Sequence, residues 1–249
     1  MKIIIQNLAT EYHDEGAGSV MLLLHGWQDN LHTFDSLVPF LSPARRIIRI
    51  DLPGFGASEA PKETWNLDNY VRFVKDFVAK LNIKVEVLVG HSFGGRIVIK
   101  GQAAEKLRAN KIVLIDAAGV ARSRRFRKSV FKALAKIGGV LAYLPPLVFW
   151  RKGLRKKMYD LIGSDYQNAG ALQATFLEIV AEDLSSSAEE ITSPTLLIWG
   201  ASDRETPLIE GQRLAGLIRG AKLRVLSGAG HFVHREFPRE VAELIRGFL

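Results

Sequence analysis

Short apolar runs alternate along this chain with longer stretches in which apolar residues recur every three or four positions. The runs cover residues 19–24, 46–50, 85–89, 111–115, 195–199 and 223–226. Each stops at a polar or glycine-bearing turn: His25-Gly26, Asp51, Gly90, Asp116, Gly200 and Ser227-Gly228. Brief, mostly apolar runs closed in this way predict strands buried on both faces. Leu67, Tyr70, Val71, Val74, Phe77, Val78 and Leu81 keep helical spacing, as do Leu208, Leu214, Leu217 and Ile218 after Pro207, and Val241, Leu244, Ile245 and Phe248 after Pro238. Strand and helix in alternation predict an α/β fold: a mainly parallel sheet flanked by helices on both faces. In such sheets the ligand crevice lies beyond the carboxyl ends of the strands. The polar residues just after each run are therefore the first candidates for chemistry.

The alternation breaks once. From residue 119 to about 187 there are helix-like and basic stretches but no strand pattern, and Thr192-Ser193-Pro194 restarts the rhythm. The expected organisation is an α/β core in two parts, 1–118 and 188–249, with a helical cap inserted at 119–187. Charge follows the same division. The whole chain carries a net +8, yet twelve basic residues and no acidic one fall between Ala117 and Tyr159. They begin at Arg122 and end at Lys157, interleaved with Val130, Phe131, Leu134 and the apolar stretch that closes on Trp150. A local basic face of this kind suits an anionic lipid surface or an acidic group on a substrate. No nucleic-acid-binding motif accompanies it, so nucleic acid is not an expected partner.

Composition closes several routes. With no cysteine, thiol catalysis, cysteine-ligated zinc and iron–sulfur chemistry are excluded. Apolar residues at 47% and charged residues at 24% are values of an ordinary globular chain. The first residues, Met1-Lys2-Ile3-Ile4-Ile5-Gln6-Asn7, lack the apolar core and cleavage site of an export signal. No run reaches the ~20 apolar residues of a membrane span. A cytoplasmic location is the expectation.

Gly90-His91-Ser92-Phe93-Gly94 places G-x-S-x-G between a strand and a helical stretch. In that setting the pattern forms a sharp turn that lifts a serine hydroxyl above the sheet. A serine hydroxyl needs a base to become a nucleophile. Of the six histidines, His231 alone follows the last strand run, within Gly228-Ala229-Gly230-His231. His91 shares the turn with Ser92 and should point elsewhere. His234 should flank the site or face solvent, and His13 and His32 read as loop residues. The imidazole in turn needs an acid to fix its tautomer. Asp203, in Gly200-Ala201-Ser202-Asp203, is favoured; Asp116, also just after a strand, is the substitute or a structural hydrogen-bonder. Asp51 is expected to shape its own turn. Two backbone donors should face the oxyanion of an acyl-transfer intermediate. They are the N–H groups of Phe93, after the nucleophile, and of Trp27, in the loop that follows residues 19–24.

Five blocks in order, His25-Gly26-Trp27, Asp51 to Ser58, Gly90 to Gly95, Trp199 to Asp203 and Gly230-His231, resemble the α/β-hydrolase superfamily over nearly the whole chain. The resemblance implies the α/β-hydrolase fold with a Ser92–His231–Asp203 triad and no metal or organic cofactor. The core is similar to carboxylesterases and to meta-cleavage-product C–C hydrolases. Position 92 is Ser, whereas haloalkane dehalogenases and epoxide hydrolases of this superfamily use Asp. Trp27-Gln28-Asp29-Asn30 stands where the C–C hydrolases usually continue Gly-Pro-Gly. The favoured expectation is a carboxylesterase acting on small or medium acyl esters. The alternatives are a C–C hydrolase, a lipase or lysophospholipase-like enzyme working near anionic lipid, and a receptor-like binding protein that keeps the triad without turnover.

Overall fold

A computed structural model describes residues 1–120 and 169–249. Two compact units divide the chain: Met1–Val120 with Asp183–Leu249, and Ala121–Glu182. The first unit is built on one sheet. Its strands are β1 (Lys2–Ile5), β2 (Leu8–Glu15), β3 (Val20–Leu24), β4 (Arg46–Ile50), β5 (Val85–His91), β6 (Lys111–Ile115), β7 (Thr195–Gly200) and β8 (Lys222–Leu226), in the order β1-β2-β4-β3-β5-β6-β7-β8. β3 to β8 run parallel, while β2 is antiparallel to both β1 and β4.

Among the described residues the α-helices are α1 (Val38–Leu41), α2 (Leu67–Lys80), α3 (Phe93–Ala103), α4 (Gln173–Ala181), α5 (Ser185–Glu189), α6 (Leu208–Leu217), α7 (Val233–Glu236) and α8 (Pro238–Phe248). α2 starts where Asn66 accepts the Asn69 N–H and Asn69 returns its side-chain oxygen to the Asn66 N–H. Both exchanges satisfy donors that a helix start leaves open. The Tyr70, Val71, Phe73, Val74 and Phe77 face of α2 is buried, as three-and-four spacing requires.

Alternate strand residues turn to one face of the sheet. Met21, Leu23, Val87, Val89, Val113, Ile115, Leu196 and Ile198 form a core with Phe34, Leu37, Val38 and Leu41 from the first crossover and with Val241, Ala242 and Ile245 of α8. On β5, α3 packs close to the strand and against α2. Strands covered on both sides need apolar residues at successive positions, which is why β3 and β7 are buried along their whole length.

Two features depart from the sequence pattern. The β1–β2 pair carries no long apolar run: Leu8–Glu15 alternates, and Ile4 on β1 is exposed. His13 therefore lies within a strand and not in a loop. β8 is not buried on both faces. It ends the sheet, and Lys222, Arg224 and Val225 are exposed. A strand with one neighbour keeps an open side, and charge there discourages pairing with another chain.

The second unit is described only from residue 169, where the turn Gly170–Leu172 leads into α4, whose Thr175, Phe176 and Ile179 are buried. All twelve basic residues of the expected cap fall within 121–168, outside the described residues. Among the described residues, no helix is long and apolar enough to cross a membrane.

Replacing Ile198→Ala in fully buried β7 should cost about 2–5 kcal/mol of stability, as other buried large-to-small changes do. Val225→Ala on exposed β8 should change it by less than about 0.5 kcal/mol. Urea unfolding of the two variants beside the parent measures both.

Candidate active site

Ser92 sits between the last residue of β5 and the first of α3, with φ 48° and ψ −112°. A residue with a side chain held there is strained by about 1–3 kcal/mol, so its surroundings must over-determine it. They do. The Ser92 N–H donates to the Ile115 carbonyl at 3.1 Å, and its own carbonyl accepts from Gly95 at 3.0 Å and Ala118 at 3.1 Å. A Cβ on Gly94 would collide with the Leu24 carbonyl, so the turn closes only with glycine there. The side chain of Ser92 stays half-buried at the carboxyl edge of the sheet.

The loop after β3 lies against this turn. A Cβ on Gly26 would stand 3.3 Å from the Cβ of Ser92. His25 is wholly buried. Its Nε2 accepts the Leu52 N–H at 2.9 Å, so Nδ1 carries the proton and donates to the Gly26 carbonyl at 2.7 Å. Burial holds the His25 pKa below its ordinary value. The Trp27 ring meets Phe55 and Phe93 edge-on, with centroids 4.9 and 5.4 Å apart. Asp51 shapes its turn by accepting the Leu31 and Ala57 N–H groups, both at 2.7 Å. Phe93 is the first residue of α3, where a backbone N–H has no partner within the helix. Trp27, next to Gly26, and Phe93, next to Ser92, thus meet ring to ring beside the Ser92 turn.

The histidine and the acid come from the ends of β7 and β8, which are laced together. Ala201 N–H donates to Leu226 at 3.0 Å, and Ser202 N–H to Ala229 at 2.9 Å. Across that seam His231 Nδ1 lies 2.9 Å from Asp203 Oδ2. The other Asp203 oxygen accepts the Glu205 and Thr206 N–H groups at 2.8 and 3.0 Å, and the Thr206 hydroxyl lies 2.7 Å from Oδ2. Burial pushes the Asp203 carboxyl up, but the His231 and Thr206 contacts outweigh it and hold it below the usual carboxylate value. Burial pushes His231 down, but the Asp203 bond and charge, then the Glu205 charge, raise it above its ordinary value.

Asp116 does not reach His231 by a hydrogen bond. Its carboxyl accepts the Gly200 N–H at 2.8 Å and the Val233 N–H at 3.4 Å, tying the ends of β7 and α7 to β6. Burial pushes its pKa up to about 8. The acid that touches the imidazole is Asp203. His91 donates from Nε2 to the His231 carbonyl at 2.9 Å. Its ring packs on both His231 and His234, with centroids 4.9 and 4.5 Å away. His234 does not face solvent: it is fully buried, 3.0 Å from the Thr33 hydroxyl, and burial pushes its pKa to about 3.

Ser92 and His231 share this edge, yet no hydrogen bond joins them among the described residues. His231 Nε2 instead lies 3.3 Å from Glu205 Oε2. Glu205 and Thr206 escaped the sequence reading; their only signal is that they sit two and three positions after Asp203, before Pro207. Among the described residues, no group of three or more His, Asp or Glu side chains is placed to hold a metal ion.

Residues 21–244 match the sequence profile of the Alpha/beta hydrolase family. A 2-hydroxymuconate semialdehyde hydrolase of Pseudomonas sp. strain CF600 is 28% identical over 271 residues, covering 100% of this chain and 93% of its own. A monoacylglycerol lipase of Xenopus laevis is 27% identical over 254 residues, covering 92% of this chain and 74% of its own. The solved structure of a thermophilic esterase from Thermogutta terrifontis superposes with a TM-score of 0.75 at 20% identity, covering 100% of this chain and 97% of that one. That last likeness is one of fold.

Thr206→Val keeps the shape but removes the hydroxyl beside Asp203 Oδ2. Leaving that buried carboxylate one donor short should lower stability by about 1–3 kcal/mol. Thr206→Ser should recover most of it, as read by thermal or urea unfolding.

Proposed function

The chain belongs to the alpha/beta hydrolase family, and from that premise we propose a serine hydrolase that cleaves small or medium acyl esters through an acyl-enzyme on Ser92. One observation carries the reading: a serine held at positive φ shares the sheet edge with a buried histidine bonded to a buried carboxylate. Nothing in a packing role requires that combination, and nucleophilic catalysis requires all of it.

In this mechanism neutral His231 takes the Ser92 proton through Nε2 as Oγ attacks the substrate carbonyl. The Trp27 and Phe93 N–H groups receive the oxyanion, a contact worth about 3–4 kcal/mol per donor in the transition state. His231 returns the proton to the leaving alcohol, and the acyl-enzyme forms. A water then repeats the sequence, deprotonated by His231, and frees Ser92. Asp203 orients the ring throughout and stabilises its cationic form. Asp116 serves the framework by pinning the Gly200 and Val233 amides.

A second reading, hydrolysis of a C–C bond in a ring-fission dienoate, draws support from the similarity to the 2-hydroxymuconate semialdehyde hydrolase. It would use the same triad. Against it stands the loop Trp27-Gln28-Asp29-Asn30, which places an acidic side chain two residues after the oxyanion donor.

A fluorophosphonate probe should label the protein, and Ser92→Ala should abolish labelling; retained labelling in that variant would refute the assignment. Turnover of p-nitrophenyl esters of graded chain length, beside a dienoate, should favour the esters. Because His231 must be neutral to act and its pKa is raised, activity should disappear as pH falls through a midpoint above about 6.5. A pH profile of kcat/KM measures that midpoint.

A further inference from the structure

His231 has a carboxylate at each ring nitrogen. Asp203 Oδ2 lies 2.9 Å from Nδ1, and Glu205 Oε2 lies 3.3 Å from Nε2. An imidazole that offers a proton to both is an imidazolium, the form that cannot accept the Ser92 proton. The two carboxylates differ in setting. The Asp203 side chain is fully buried, whereas that of Glu205 is 60% exposed. Glu205 is nevertheless not loosely placed. Its N–H is held by Asp203 Oδ1 at 2.8 Å, and the next carbonyl, of Thr206, accepts the indole N–H of buried Trp199 at 2.7 Å. The backbone is fixed, and the side chain reaches the base from the solvent side.

We propose that Glu205 is a positioning residue that holds His231 parked and protonated at Nε2, so that the base becomes available to Ser92 only when this contact opens. The inference rests on the reading of Ser92 and His231 as nucleophile and base. When the contact opens, the Nε2 proton passes to solvent, and the freed lone pair can accept the Ser92 hydroxyl proton. Nothing else is consumed.

Among the described residues, the other groups around the ring do not substitute for Glu205. Asp203 holds the opposite nitrogen. Asp116, at the end of β6, bonds backbone amides, and burial keeps its carboxyl protonated near neutrality. His91, at the end of β5, faces the ring at 4.9 Å, and burial keeps it neutral. His234 is buried and neutral on α7, beside Arg235, whose guanidinium lies over the Phe232 ring. Glu236 is engaged with the Gly230 N–H at 2.8 Å. The Thr206 hydroxyl, 3.3 Å from Nδ1, carries no charge. Among the described residues, Glu205 is thus the anion that faces Nε2, and its side chain is 60% exposed, so salt should weaken its hold.

The test follows the rate of fluorophosphonate labelling of Ser92 between pH 5 and 9, at low and high salt, for the parent, Glu205→Gln and Glu205→Asp. His231 is titrated in parallel through its Cε1 proton by NMR. Glu205→Gln should move both midpoints to lower pH and speed labelling about 2- to 5-fold below the parent midpoint, the range of an exposed ion pair. Glu205→Asp, charged but one methylene shorter, should fall between. High salt should move the parent towards Glu205→Gln and leave that variant unmoved. Superimposable profiles in parent and Glu205→Gln would overturn the proposal. So would a Glu205→Gln variant that labels more slowly at every pH with no shift, since that is a structural defect. A parent that never labels while its His231 midpoint still falls in Glu205→Gln would sink the serine-hydrolase reading and leave the ion pair standing.

Discussion

An ionised carboxylate kept under cover of protein is the constraint on which the site depends. A buried charge is costly unless donors replace the water it gave up. Asp203 is surrounded by two backbone N–H groups, one hydroxyl and one imidazole. Three of those four donors come from the next three residues, so the loop must curl back on its own side chain. The curl in turn carries Thr206 over Trp199 and brings Glu205 to the rim. Local hydrogen bonding, not the periodicity of apolar residues, decides this conformation.

That explains what the sequence disclosed and what it withheld. The parallel strands announced themselves because burial on both faces demands continuous apolar residues, and the polar residue after each run marked the working edge. Ser92, His231 and Asp203 stand out as candidates for this reason. Asp116 competed with Asp203 because both follow a strand, and strand order cannot show which carboxyl turns to the ring and which to backbone amides. Glu205 was hidden because its reach to Nε2 depends on a turn conformation. His234 lay three residues from His231 with no pattern to say that it points inward. β1 and β2 were missed since an edge pair with one covered face lacks an apolar run, and β8 differs from its expected burial on both faces because a mostly apolar Leu-Arg-Val-Leu does not reveal that the strand ends the sheet.

The second organising element is aromatic. Trp27, Phe55, Phe93 and Tyr70 meet edge-to-face at 4.9 to 5.4 Å along the contacts Trp27–Phe55, Trp27–Phe93 and Tyr70–Phe93. Such pairs add about 0.5–1.5 kcal/mol each beyond their buried area. They join residues of the loop after β3, the turn after β4, the first turn of α3 and the face of α2. Two of the four rings belong to the residues whose backbone N–H groups are proposed to hold the oxyanion. Packing therefore fixes donors that have no side-chain chemistry of their own.

The peripheral place of β8 has a consequence for how this molecule fails. His231 hangs from the one parallel strand that has a neighbour on a single side, while Ser92 stands beside β5, sandwiched in the middle of the sheet. Outer strands open at lower free energy than inner ones. Mild heat should thus detach the imidazole first, leaving a chain that keeps most of its circular dichroism and a correctly shaped serine turn, but without the base proposed for it.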